Sequence, residues 1–145
     1  MEIFIDADGC PVVGLTVMLA KRYCVPVTII CDTAHVFSYE GVRVITVDKG
    51  ADSADFRLVN LIGKGDIAVT QDYGLAAMCL ARNAFAINQN GLVYSDENIS
   101  SLLGARYAAK KIRKSGGRLK GPQKRKKQQD TEFERTLESL IVNNM

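Results

Sequence analysis

The sequence predicts an α/β domain built on a five-stranded, mainly parallel sheet. Short apolar runs alternate along the chain with segments of helical periodicity, a pattern typical of repeated βαβ units. The 145 residues are 47% hydrophobic and 24% charged, which fits one globular domain and leaves no room for a second full one. Three of the apolar runs also stop at aspartates, and this coincidence determines the functional prediction.

The strands are predicted where apolar or alternating runs are bounded by turn residues, at residues 2–6, 25–31, 43–47, 67–70 and 84–88. Pro11 is expected in the first turn of the first helix, where its missing N–H is not needed. The second helix is expected to open at residues 52–55, and the third follows Asp72. Residues 32–41 lack a clear period and are predicted to form a loop.

Beyond the fifth strand, the sequence predicts a turn and two more helices. Asn90 and Gly91 stand between two apolar runs, which is a strong hairpin signal and predicts a short antiparallel ribbon at the sheet edge. Ser95 is the expected cap of a helix that runs into a basic segment and ends at residues 116–117. A last amphipathic helix is predicted over about residues 131–142.

Charge is segregated into three blocks. Residues 1–109 hold 8 Lys and Arg against 12 Asp and Glu, residues 110–127 hold 10 against none, and residues 128–145 hold 1 against 4. These blocks predict an α/β domain, a basic arm and a C-terminal helix that packs on the core. The arm is expected either to bind the phosphates of RNA or to be merely solvated. Its candidate RNA contacts are Lys110, Lys111, Arg113, Arg118, Lys120, Lys124 and Arg125.

Aspartates follow the strands that should end at one edge of the sheet. Asp6 ends the first strand, Asp8 follows it, and Asp72 follows the fourth. Because the ends of parallel strands share an edge, these carboxylates can converge, and a hard divalent cation would relieve their repulsion. We therefore predict that Asp6, Asp8 and Asp72 bind Mg²⁺ or Mn²⁺. The alternative is that the acids are ordinary turn and helix-cap residues.

Other features exclude several protein classes. No apolar run approaches the roughly 20 residues that span a bilayer, and the N-terminus has acids where a signal peptide has bases. The four cysteines lack the density and spacing of a secreted disulfide scaffold. We expect a soluble, cytoplasmic protein without a membrane partner, and the sequence makes no prediction about its oligomeric state.

Four segments resemble, in order, motifs of the YaiI/YqxD family of uncharacterised bacterial proteins. They are DADGCPV at residues 6–12, GADSAD at 50–55, GDIAVTQDYGLA at 65–76 and GP at 121–122. The family has no established activity. It is in turn similar to PIN-like nuclease domains, whose carboxylates gather divalent metal to hydrolyse RNA. The resemblance implies a three-layer α/β/α fold of the PIN-like kind.

The PIN-like resemblance also implies roles for particular residues. Catalytic residues would be Asp6, Asp52, Asp55 and Asp72. Asp8 and Asp96 would be outer members of the site, and Thr70 would orient Asp72 or bind a substrate phosphate. Two cations would activate water and stabilise the leaving oxygen. Residues 88–91 depart from the family, which is expected to have a Pro and an Arg there, so a phosphate contact would be absent or moved to the basic arm.

Two other hypotheses stay open. A strand ending in Asp-x-Asp-Gly also resembles the nucleophile loop of haloacid-dehalogenase-like phosphatases, in which Asp6 would attack phosphorus and Asp8 would act as general acid. Cys10 stands where those enzymes usually have Thr. The protein could instead be a non-catalytic RNA-binding module. Enzymatic activity is thus an open question, and a Mg²⁺- or Mn²⁺-dependent ribonuclease is the favoured answer.

Overall fold

The computed structural model describes residues 1–32, 37–48, 53–114 and 124–145, and only the backbone of Ser53 and of residues 106–114. The strands are β1 (Ile3–Asp6), β2 (Val27–Asp32), β3 (Arg43–Val47), β4 (Ile67–Val69) and β5 (Phe85–Ile87). The helices are α1 (Val13–Arg22), α2 (Ser53–Leu61), α3 (Tyr73–Ala81), α4 (Asp96–Lys114) and α5 (Lys127–Asn144).

All five strands pair in parallel in the order β3-β2-β1-β4-β5. The chain builds outward from β1 through β2 to β3, and then crosses back to place β4 on the other side of β1. The neighbouring ends of β1 and β4 therefore form the point where the order reverses, which in open α/β sheets is the usual place for a ligand. This architecture confirms the predicted five-stranded α/β fold.

Helices cover both faces of the sheet. Ile3 and Ile5 of the central strand pack in one apolar cluster with α1 and α5, whereas Phe4 packs in a second cluster with α2, α3 and α4. Successive side chains of a strand point to opposite faces, so this division gives three layers. A sheet buried on both faces also explains why β1, β2 and β4 are almost entirely apolar.

The last helix is part of the main core. Phe133, Leu137 and Ile141 are completely buried in the cluster that contains α1. The helix is longer than the predicted 131–142, because the Gln129 side chain accepts a 2.8 Å hydrogen bond from the Lys126 backbone N–H and caps an extra turn. The C-terminal end of the predicted basic arm, Lys127, is therefore helical.

The predicted antiparallel ribbon at Asn90 and Gly91 is reduced to one bridge, between Ile87 and Val93. The turn itself forms, with Gly91 at φ +87° and the Asn88 N–H bonded to the Leu92 carbonyl at 2.9 Å. Only Val93, Tyr94 and the capping Ser95 separate the turn from the start of α4, which leaves no length for a second strand.

Two other local predictions need correction. Pro11 lies in a turn just after the one that the Cys10 N–H closes on the Ala7 carbonyl, and α1 begins only at Val13. Asp32 is not in a loop but is the last residue of β2, paired in register with Val47. Ser95 does cap α4, because its Oγ accepts from the Asn98 N–H at 3.2 Å. The predicted end of that helix at residues 116–117 lies outside the described residues.

Candidate active site at the carboxyl edge of the sheet

Asp6 and Asp72 meet at the reversal point between β1 and β4. Thr70, which is 1% exposed, donates a 2.8 Å hydrogen bond from its hydroxyl to Oδ2 of Asp6. The same hydroxyl oxygen accepts a 3.0 Å bond from the backbone N–H of Asp72. A single buried hydroxyl thus joins the end of β1 to the loop after β4. Thr70 thus holds the Asp6 side chain and the Asp72 backbone, and its predicted role in orienting Asp72 or binding a phosphate stays a prediction.

Asp72 is also the N-cap of α3. Its Oδ1 accepts hydrogen bonds from the N–H groups of Gly74 at 2.8 Å and Leu75 at 3.2 Å. The cap fixes the carboxylate at the N-terminus of a helix, where its negative charge is favourable. Both cap bonds end at Oδ1, so capping α3 uses one of the two carboxylate oxygens of Asp72.

Burial raises the pKa of Asp6 above its ordinary value. The Thr70 hydrogen bond lowers this pKa, and the negative charges of Asp8 and Asp72 raise it again. Burial and like charge both disfavour the carboxylate, and they outweigh the hydrogen bond. The predicted metal ligands Asp6, Asp8 and Asp72 therefore lie close enough to interact electrostatically, and the ionised form of Asp6 is held at a cost in free energy.

Asp8 turns towards the neighbouring strand. Its Oδ1 accepts a 3.3 Å hydrogen bond from the backbone N–H of Asp32, the last residue of β2. The negative charges of Asp8 and Asp32 both act on the Cys31 thiol, whose pKa is raised chiefly by burial. Asp32 is an acid of the same edge that was not predicted from the sequence. Its signal was present, because it follows the apolar run of β2 directly.

Asp55 is linked to the same region through a buried thiol. Burial raises the pKa of Cys79 to about 12, and the carboxylates of Asp55 and Asp6 add to the increase. Asp55 itself is half-buried in the first turn of α2. Among the predicted helix carboxylates, Asp55 therefore lies within electrostatic reach of the same thiol as Asp6, whereas Asp52 is outside the described residues. Asp96 is exposed in the first turn of α4.

The donor set is suited to a hard cation, because carboxylate oxygens are the ligands that Mg²⁺ and Mn²⁺ prefer. Within the described ranges, however, no three His, Cys, Asp or Glu side chains are grouped so that they could hold a metal ion. Asp66, by contrast, serves the turn at the opposite edge, where its oxygens accept from the Glu2 and Gly63 N–H groups, both at 2.9 Å.

Tyr94 is a buried residue that contacts Thr70, and it was not identified from the sequence. It is 3% exposed, and its hydroxyl donates a 3.1 Å hydrogen bond to the Thr70 carbonyl. Burial raises its pKa to about 12, so the hydroxyl stays protonated and keeps donating. Its ring lies 6.4 Å from that of Tyr73 in a tilted arrangement. A tyrosine 24 residues away from Thr70 gives no local signal of this contact.

Arg125 brings the end of the basic segment back to this edge of the sheet. Its guanidinium donates to the Gln89 carbonyl at 2.7 Å, to Oδ1 of Asn90 at 2.8 Å and to Asp130 at 2.7 Å. Burial raises the pKa of the Cys10 thiol above its ordinary value, and the negative charge of Asp6 adds to the increase. The positive charge of Arg125 lowers the same pKa. Arg125 is thus anchored by protein groups close to the candidate site.

The other predicted RNA contacts are described only in part. Lys124 is exposed beside Arg125. For Lys110, Lys111 and Arg113, the structure gives the backbone alone, within α4, and Arg118 and Lys120 are outside the described residues. No helix in the described part of the chain combines the length and apolar character needed to cross a membrane.

Comparisons with known proteins identify relatives over the whole domain. The profile of an uncharacterised bacterial family, YaiI/YqxD, matches residues 4–143. A UPF0178 protein of Exiguobacterium sibiricum is 52% identical over 98% of this chain and 97% of its own length. A UPF0178 protein of Ruminiclostridium cellulolyticum is 50% identical over 94% of this chain and 90% of its own. No solved structure matches the chain significantly. These similarities confirm the resemblance of the sequence motifs, and the chain belongs to the YaiI/YqxD family.

Proposed function

We propose that this protein is a Mg²⁺- or Mn²⁺-dependent phosphodiesterase that acts on RNA. The main support is the junction of Asp6, Thr70 and Asp72 at the reversal point of the sheet. A buried carboxylate whose pKa is raised, as that of Asp6 is, is typical of functional sites, because folding alone gains nothing from burying a charge.

Asp6 and Asp8, with Asp72 on the other side of Thr70, are the residues that would hold the cation. A bound cation would supply an activated water and would neutralise charge on the phosphate. Asp6 must then be ionised, and the Thr70 hydroxyl favours that form by donating to Oδ2. Asp55, whose charge acts on the same Cys79 thiol as that of Asp6, would add a further carboxylate. Tyr94 keeps Thr70 in place through its backbone carbonyl.

RNA is the proposed substrate because a cluster of cations ends beside the carboxylates. The basic segment holds ten Lys and Arg and no acid. Arg125 ties its C-terminal end to the loop after β5, and the exposed Lys124 and Lys126 lie on either side of it. A polyanion could contact these cations while one of its phosphates reaches the acidic site.

The test is hydrolysis of a fluorogenic single-stranded RNA with Mg²⁺, with Mn²⁺ and with EDTA. Cleavage is expected only with a cation, and Asp6→Asn should lower kcat/KM by at least about 100-fold, since it removes a negative ligand oxygen. Glu40→Gln makes the same charge change at an exposed residue near the opposite edge and should leave the rate unchanged. Metal-independent cleavage, or cleavage that survives Asp6→Asn, would contradict the proposal.

The same preparation separates the phosphatase hypothesis. A phosphatase that uses Asp6 as nucleophile should release p-nitrophenol from p-nitrophenyl phosphate, whereas a phosphodiesterase should prefer bis-p-nitrophenyl phosphate. The structure is less favourable to the phosphatase, because Asp8, its required general acid, directs Oδ1 to the Asp32 N–H.

A non-catalytic RNA-binding module is the second candidate. It is favoured by the lack, in the described part of the chain, of three side chains grouped to hold a metal. It predicts salt-sensitive RNA binding that neither cation changes, together with no turnover. Calorimetric titration of the protein with Mn²⁺ alone distinguishes the two, since only the phosphodiesterase should bind the ion and lose that binding with Asp6→Asn.

A further inference from the structure

A groove opens at the carboxyl end of β3, away from the Asp6 site. It has a volume of ≈ 500 Å³, within the range of small-molecule sites. The described residues that line it are Thr46, Val47, Asp48, Phe56, Arg57 and Asn60. None of the six takes part in the carboxylate site described above.

Phe56 is the unusual member of this groove. Its side chain is 63% exposed, the largest exposure among the bulky apolar helix residues whose side chains the structure describes. The apolar residues that hold α2 on the sheet are instead Leu58 and the following Ile62, both completely buried. Phe56 therefore contributes little to the core and presents an aromatic ring to solvent within a groove.

The polar groups around Phe56 are of the kinds that recognise a nucleotide. Arg57 is exposed beside it and can pair with a phosphate. Asp48 and Asn60 provide an acceptor and an amide that can bond the edge of an unpaired base. An aromatic ring with such neighbours is the usual arrangement for stacking one base of a single strand.

The groove lies on the same edge of the sheet as the Asp6 site. Asp6 is in register with Ile30, and Ile30 with Ile45, so Thr46 is one residue farther towards that edge. Two strand spacings separate β3 from β1, a distance of about 10 Å. One strand of nucleic acid could therefore occupy both places at once.

We propose that this groove binds an unpaired base of the RNA strand by stacking it on Phe56, with Arg57 on the adjoining phosphate. The inference rests on the proposed function and adds its substrate class, single-stranded rather than duplex RNA. A duplex keeps its bases stacked inside and cannot supply one to Phe56.

Phe56→Trp provides a direct test, because the chain contains no other tryptophan. A 12-nucleotide single-stranded RNA, added in EDTA so that nothing is cleaved, should quench the fluorescence of this Trp by stacking on it. An abasic phosphodiester chain of the same length, and a 12-base-pair RNA duplex, should not. Met18→Trp places the reporter at an exposed site on the other face of the sheet and should show no quenching.

Affinity gives the second measurement. Phe56→Leu keeps an apolar side chain but removes the ring, and should raise the Kd for the single strand at least about 5-fold. Arg57→Ala should also weaken binding. Arg43→Ala removes the same charge from an exposed residue at the start of β3 and should change the Kd by less than 2-fold.

Equal quenching by the abasic chain, or an unchanged Kd for Phe56→Leu, would overturn this inference. Neither result depends on cleavage. Base binding at Phe56 could therefore be absent while Asp6→Asn still abolishes hydrolysis, or present in a protein that cleaves nothing.

Discussion

Asp6 is expected to lower the stability of the folded protein at neutral pH. Its pKa is raised on folding, chiefly by burial, so the folded state gains stability from a protonated Asp6 and loses it as the pH rises through that raised pKa. Asp6→Asn is neutral at every pH. It should therefore have a higher Tm than the wild type at pH 7, and this advantage should disappear below pH 3.8, the ordinary value for the side chain.

Calorimetric scans at pH 7 and at about pH 3 check this expectation. An Asn variant that is less stable than the wild type at pH 7 would show that the Thr70 bond outweighs burial. A variant that is more stable yet inactive would place Asp6 among the residues that proteins retain for function at the expense of stability.

Thr70→Val tests the buried hydroxyl. Valine has almost the same shape, but Asp6 then loses its donor and the Asp72 N–H loses its acceptor. The free energy of unfolding should fall by about 1–3 kcal/mol. The pKa of Asp6 should also rise further, because the hydrogen bond that lowers it is gone. Carbon-13 NMR of the Asp6 carboxyl group measures that pKa.

Thr70→Ser keeps the hydroxyl and is the matched control. It should retain the Asp6 pKa of the wild type, even if the lost methyl group lowers stability slightly. A Val variant with an unchanged Asp6 pKa would be incompatible with the role assigned to this bond.

The sequence could predict the acids of the site better than their supports. Asp6, Asp8 and Asp72 follow apolar strands, and parallel pairing alone brings strand ends to one edge. Tyr94 and Asp32 were missed for different reasons. The Tyr94 bond to Thr70 depends on tertiary packing, whereas Asp32 was assigned to a loop because residues 32–41 lack a clear period, although it directly follows the apolar run of β2.

Among the elements, the turn after β5 and helix α5 constrain each other. A Cβ added to Gly91 would lie 2.8 Å from the Glu132 carbonyl oxygen and 3.2 Å from the Phe133 nitrogen, both in the backbone of α5. Gly91 also has φ +87°, which costs any other residue about 1–2 kcal/mol. Gly91→Ala should therefore destabilise the protein both by backbone strain and by displacing α5.

Gly41→Ala separates these two causes. Gly41 has a similar φ of +74°, but nothing lies within 4 Å of its added Cβ. Urea unfolding should show a larger loss for Gly91→Ala than for Gly41→Ala, with the difference, about 1–3 kcal/mol, due to overpacking. Equal losses would mean that α5 moves aside without cost.

Elements could be predicted from the sequence where burial makes the apolar residues recur with a regular period. Boundaries that a capping side chain sets were predicted least well. β3 was predicted to the residue, because alternation over Arg43–Val47 is bounded by turn residues. The start of α5 was placed about four residues late, since Lys126 and Gln129 cap a polar first turn that has no apolar period.

At the scale of the whole molecule, the unequal distribution of charge predicts how RNA binding depends on salt. Lys124 is exposed beside the anchored Arg125, next to the acidic edge. Lys124→Ala should weaken RNA binding and reduce the slope of log K against log salt by about 1, as expected for one lost phosphate contact.

Lys64→Ala is the control, because Lys64 is exposed in the turn that precedes β4, at the opposite edge. Fluorescence anisotropy with labelled RNA at several salt concentrations gives both slopes. If the two variants behave alike, the cations act only through net charge and the proposed path of the RNA past Lys124 is wrong.

The packing of α5 against α1 also affects how the protein is made. Every other element precedes α5 in the chain, yet Phe133, Leu137 and Ile141 complete the cluster on α1. During translation, the apolar residues of α1 that α5 covers therefore stay exposed to solvent until the ribosome has released α5. Chaperones that bind nascent chains would bind this exposed apolar surface. If synthesis stopped after α4, the fragment would be prone to aggregate and would be a substrate for proteases.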